Sequence, residues 1–143
     1  VQQQINTTES VAIHVRRGDY LHDALFRNTC GLAYYQRAIT CILQHVVHPV
    51  FYVFSDDMAW CRQHIQPLLQ TNEAVLVDWN HGKASICDLH LMTLCRHHII
   101  ANSSFSWWGA WLSPHQAGWI IAPKQWYAYE EKVSPAAERW LKL

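Results

Sequence analysis

The stretch SVAIHVRRGDY, residues 10–20, carries two arginines and a glycine out of an apolar run. A desolvated guanidinium is costly without a partner, so this placement asks what Arg16 and Arg17 meet. Within the chain the obvious partner is Asp19; outside it, a bound anion. A planar guanidinium suits bidentate phosphate binding better than an ammonium does. Gly18 would let the backbone turn sharply beside a ligand. Alternation along a strand sends His14 and Arg16 to one face and Val15 and Arg17 to the other. Taken alone, the motif is served equally well by a structural Arg–Asp19 pair.

A second anion-binding device lies in IIANSSFSWWGAW, residues 99–111, where a strand runs directly into a helix with Ser103 and Ser104 at the junction. A helix N-terminus offers backbone N–H groups and a partial positive charge. Capping by Ser104 is compatible with phosphate nearby. Asp88 has two readings. Ser85-x-x-Asp88 fits a capping box, which the spacing favours, whereas a carboxylate at a ligand edge could accept the two N–H donors of a guanine base.

Other signals point elsewhere. Arg17-Gly18-Asp19 is an integrin-type tripeptide, but it closes a core strand instead of sitting on an exposed loop. Asn6-Thr7-Thr8 and Asn102-Ser103-Ser104 match the short glycosylation pattern. The histidines lack metal-ligand spacing with cysteine or carboxylate partners, so no metal is expected. Trp107, Trp108 and Trp111 recur at helical spacing and read as core.

The elements that must hold these residues follow from the apolar runs at 11–15, 50–54, 74–77, 98–101 and 119–122. Each is of strand length and shows little alternation, as parallel strands covered on both faces do. Helical spacing fills the gaps, from Leu32 to Val46 with a stop at His48-Pro49. A second helix is capped by Asp56 or Asp57 and bent or ended by Pro67, and a third runs from Ser85 to Cys95. A fourth starts near Ser104, and a last follows Ser134-Pro135. Strand then helix, repeated, predicts an α/β fold with a parallel sheet. Ligands in such sheets bind beyond the carboxyl ends of the strands. Those ends read RRGD, SDD, DWN, NSSFS and PKQW.

Composition sets the bounds. With 143 residues, half of them apolar and 15% charged, the chain is large enough for one domain with a real core. Eleven basic residues balance eleven acidic ones, so no global field points to nucleic acid, and any anion site is local. Five cysteines without a C-x-x-C pair argue against a disulfide framework and for a reducing compartment. No apolar run is long enough to span a membrane. Residues 1–10, VQQQINTTES, read as a linker or the remnant of an upstream segment, with the domain proper at 11–143.

HVRRGDY, FSDD, DLHLM and IIANSSFSWWGAWL, in this order from about Val11 to Ala122, resemble the alpha-1,2-fucosyltransferase family, its bacterial members in particular. The resemblance implies the donor portion of a two-domain B-type glycosyltransferase with a Rossmann-like sheet. Such an enzyme moves L-fucose from GDP-fucose to the hydroxyl of a galactose-terminated glycan, with inversion and without metal or cofactor. It also implies that Arg16 grips the diphosphate with Arg17 beside it, and that His14 and Asp88 meet guanine. Ser103, Ser104 and Phe105 would close on the phosphates. Arg16 and Asp19 are the catalytic candidates, Asp19 as a base for the acceptor hydroxyl. The N-terminal acceptor domain of the family is absent from this chain, so turnover is expected only of the longer protein. That protein is expected in the cytoplasm with peripheral membrane association, or in the Golgi lumen if eukaryotic. A guanine-nucleotide module without catalysis and an adhesion fragment are the competing readings.

Overall fold

A computed structural model describes residues 1–18, 30–128 and 133–143. The chain forms α1 (Gln2–Thr7), β1 (Glu9–Val15), α2 (Leu32–His45), β2 (Pro49–Ser55), α3 (Met58–Trp60) and β3 (Ala74–Leu76). It continues with α4 (Ser85–Leu94), β4 (His97–Ile99), α5 (Ser104–Trp111), β5 (Ile120–Ala122) and β6 (Leu141–Lys142). The strands build one sheet in the order β3-β2-β1-β4-β5-β6, with every pairing parallel. This is the α/β fold with a parallel sheet expected from the apolar runs, and the Rossmann-like arrangement that the resemblance implies. The order reverses between β1 and β4, and a crevice opens at the carboxyl ends of strands at such a reversal.

Both faces of the sheet are covered. Val11, Ile13, Val15, Phe51 and Val53 pack on one face against Tyr35, Ile39 and Ile42 of α2. Ala12, Val50, Tyr52 and Phe54 pack on the other against Ile5 of α1 and Leu91 and Met92 of α4. Residues 1–10 therefore hold a helical turn with its Ile5 buried, followed by the first residues of β1. A third cluster joins Ile100, Ala110, Ile120, Ala122, Trp126 and Trp140.

α2 is tied to the sheet by its tyrosines. The Tyr34 hydroxyl lies 2.7 Å from the Ile100 carbonyl and 3.1 Å from that of Ile121, and Tyr35 donates to the His14 carbonyl at 2.9 Å. The second contact fixes the end of β1, where the arginines begin. The helix after β2 is capped by Asp57, which accepts from the Trp60 N–H at 3.1 Å. It then widens into a π turn (Cys61–Ile65) and tightens into a 3₁₀ turn (Gln66–Leu69) containing Pro67. All five cysteines are free thiols. Among the described residues no helix is long and apolar enough to cross a membrane.

Three expectations are corrected. The chain after Ser134-Pro135 does not form the expected helix. The Ser134 hydroxyl accepts from the Ala136 N–H at 3.2 Å in a local turn, Trp140 is buried, and β6 adds to the sheet. The Leu143 N–H bonds to the Ala122 carbonyl at 3.0 Å, so the open edge of β5 captures the segment. The capping residue of α5 is Ser103, not Ser104: its hydroxyl accepts from the Phe105 N–H at 3.3 Å. Trp107 packs against the third cluster, but Trp108 and Trp111 are not core, being 47% and 43% exposed. α5 turns Ser106, Gly109 and Ala110 inward instead. A Cβ at Gly109 would lie 3.1 Å from the Met92 side chain, so only small residues allow α4 and α5 to approach this closely.

Candidate functional site

Parallel register decides what the arginines meet. Val15 of β1 pairs with Ser55 of β2, so one residue further Arg16 comes alongside Asp56 and Arg17 alongside Asp57. Arg16 Nε lies 3.5 Å from Asp56 Oδ2. Arg17 turns to the opposite face, with Nε 3.4 Å from Asp57 Oδ2 and its guanidinium carbon 4.2 Å above the Trp60 ring. The alternation expected along β1 is therefore present, and it separates the two arginines.

On the Arg16 face a cavity of about 360 Å³ opens at the carboxyl edge of the sheet. Its walls are His14 and Arg16 at the end of β1, Ser55 and Asp56 at the end of β2, residues 80–82 after β3, Ser85 and Asp88 from α4, and Phe105 from α5. A larger hollow of about 540 Å³ beside it shares Asn80 and is lined by Trp79, Ile86, His90 and Leu91. That hollow is mostly apolar and no arginine or lysine lines it, so the smaller cavity is the one equipped to hold an anion.

The polar groups of the cavity are tuned by burial. His14 is 4% exposed and its ring centroid lies 5.4 Å from that of Phe105. Burial, reinforced by the nearby Arg16 charge, pushes its pKa down to about 3, so the imidazole is neutral at ordinary pH. Its Nδ1 has no hydrogen-bond partner among the described residues. Asp88 is half-buried, and burial pushes its carboxyl above the usual carboxylate range, against the Asn80 hydrogen bond and the His81 charge. The capping box does not form. α4 follows a 3₁₀ turn (Gly82–Ala84), Ala84 occupies the cap position without a side-chain bond, and Asp88 accepts from Asn80 Nδ2 at 2.7 Å. A carboxylate freed from helix capping faces the cavity instead.

The structure thus brings His14, Arg16, Asp88 and Phe105 to one cavity. Ser103 is buried and Ser104 exposed at the start of α5, which delivers Phe105 to the wall. Arg17 lies across the sheet from them. Asp19 lies outside the described residues. The sequence reading missed Asp56 and Asn80, although both stand in strand ends it had singled out, SDD and DWN. Asn102 is buried and donates to the Trp126 carbonyl at 2.9 Å, which leaves no exposed amide at that glycosylation pattern. No three His, Cys, Asp or Glu side chains among the described residues gather as a metal centre.

The sequence matches Glycosyl transferase family 11 over residues 1–142. The chain belongs to that family. It is 39% identical over 144 residues to an alpha-1,2-colitosyltransferase of Escherichia coli, covering 97% of this chain and 49% of that protein. It is 35% identical to the O-antigen biosynthesis glycosyltransferase WbnK of Escherichia coli, covering 99% of this chain and 46% of that one. Galactoside 2-alpha-L-fucosyltransferase SEC1 of Bos taurus is 31% identical over 106 residues, or 72% of this chain and 28% of the relative. No solved structure gives a significant match. The family 11 chain spans about half the length of the two bacterial relatives and less of the bovine one.

Proposed function

We propose that this family 11 chain is the donor-binding part of an inverting glycosyltransferase that moves L-fucose from GDP-fucose to the 2-hydroxyl of a galactoside. The observation that carries the reading is the pairing, within one cavity at the strand-order reversal, of a guanidinium and a half-buried carboxylate. Arg16 takes the diphosphate. Asp88 accepts the N–H donors of guanine, and the neutral His14, with its unpartnered Nδ1, contacts the base without adding charge. Fucose leaves with oxocarbenium character while negative charge grows on the β-phosphate. Arg16 and the N-terminal end of α5 stabilise that charge, which is the electrostatic route to rate. Guanidinium and backbone N–H groups do here what a divalent cation does elsewhere, so donor binding needs no metal. The general base is Asp19 or a carboxylate of the rest of the protein, and the acceptor glycan is held there too.

The relatives named for a linkage, the colitosyltransferase and the bovine fucosyltransferase, are both named for transfer to position 2. The name of the former favours a second reading in which the sugar is colitose, L-fucose without its 3-hydroxyl. The full-length protein, supplied with GDP-fucose and GDP-colitose beside a β-galactoside, separates the two. Transfer to the 2-hydroxyl with an α product, equal with EDTA or Mg²⁺, is expected. Exclusive use of a UDP-sugar, or an absolute need for Mg²⁺, would contradict the proposal.

A further inference from the structure

We infer that Asp56 is a positioning residue that sets the Arg16 guanidinium for a diphosphate, an inference that rests on the donor-site reading of the cavity. Asp56 is tied to the end of β1 three times. Oδ1 accepts from the Arg17 N–H at 2.8 Å, Oδ2 accepts from the Gly18 N–H at 2.9 Å, and Oδ2 lies 3.5 Å from Arg16 Nε. Each carboxylate oxygen carries a backbone N–H, so the plane of the carboxylate is fixed by the turn before it meets the side chain. Holding Nε then fixes the plane of the guanidinium, on which a bidentate grip depends. The carboxylate's charge is met by the two N–H groups and the arginine, so it is not an open repulsive charge against a bound anion.

Gly18 supplies an independent observation. Its φ is not in the left-handed region, so backbone freedom does not explain a glycine there. A Cβ at Gly18 would lie 2.7 Å from Asp56 Oδ2, closer than a Cβ comes to anything. Position 18 is thus kept empty of a side chain where the Asp56 carboxylate sits. Two residues about forty positions apart are shaped to the same contact.

The test uses Asp56→Asn and Gly18→Ala, each titrated with GDP and with guanosine, beside a thermal melt. The amide keeps the shape of the carboxylate but has one accepting oxygen and no charge. Alanine leaves the carboxylate in the chain but displaces it, so it serves if the first variant folds poorly. Both variants should bind GDP about tenfold or more weakly, while guanosine affinity stays within about twofold of wild type. A merely structural residue would lower both affinities together. Unchanged GDP affinity, or an equal loss for GDP and guanosine, would overturn the positioning role. A wild-type chain that prefers GDP no more than guanosine would instead overturn the underlying phosphate site.

Discussion

Asp88 and His14 share a cavity and are pushed by burial in opposite directions: the carboxyl upward, the imidazole down to about 3. Both shifts favour the neutral form, but only Asp88 must be charged to accept two N–H donors. GDP affinity should therefore be full above the Asp88 pKa and decline as pH falls through it, beginning above the range of an ordinary carboxylate. Titration of GDP across acidic pH checks this, with Asp88→Asn as the control that removes the decline. The same variant should narrow the preference for GDP over ADP by about tenfold or more, because an amide cannot accept at both positions. An unchanged preference would return Asp88 to architecture. At this scale the sequence exposed the residue types but not their contacts. The spacing Ser85-x-x-Asp88 favoured a cap, and only the 3₁₀ turn before α4 shows why the carboxylate is available to Asn80 and the cavity.

The elements deliver these residues through close approaches that single glycines permit. A Cβ at Gly118 would lie 1.9 Å from the Arg96 carbonyl oxygen, a backbone atom that cannot swing aside. Gly118→Ala should cost about 3 kcal/mol of stability, as overpacking does. Gly109→Ala meets the Met92 terminal methyl at 3.1 Å and the Met92 Cβ at 3.2 Å, a far milder approach, and should cost about 1 kcal/mol. Urea denaturation of both variants checks the ranking, and equal losses would contradict it. The parallel strands were legible because strands covered on both faces leave continuous apolar runs. β6 was not, since two residues carry no pattern and an open strand edge recruits them. The inward face of α5 was hidden because Ser106, Gly109 and Ala110 do the packing, while the tryptophans beside them attract the expectation of burial.

Over the whole molecule, the buried histidines tie stability to pH. His98 is fully buried, donates from Nε2 to the Met92 carbonyl at 2.7 Å, and has its pKa lowered to about 4 by burial. In the unfolded chain it and His14 take up protons near 6.5; in the folded chain they resist until about 4 and about 3. The unfolded state then binds more protons, so stability is full above about 6.5 and falls as pH drops toward 4. The slope is on the order of 1 kcal/mol per pH unit for each histidine. The raised Asp88 carboxyl has the opposite sign and offsets part of the loss. A urea midpoint lower at pH 5 than at pH 7 is expected, and equal midpoints would contradict the burial argument. What stayed hidden in the sequence at this scale is the parallel register that sets Arg16 beside Asp56. Nothing local in either segment announces a contact between strand ends forty residues apart. On the proposed function, the cavity at the strand-order reversal holds GDP by its diphosphate through Arg16. Calorimetric titration of wild type and Arg16→Ala with GDP, ADP and UDP, beside a thermal melt, tests it most directly. GDP should bind the wild type in preference to ADP and UDP. Arg16→Ala should abolish that binding with little change in melting temperature, because Asp56 keeps its two backbone N–H partners. Undiminished GDP affinity in Arg16→Ala, with a lowered melting temperature, would rule out the diphosphate role and leave Arg16 as part of the architecture of β1.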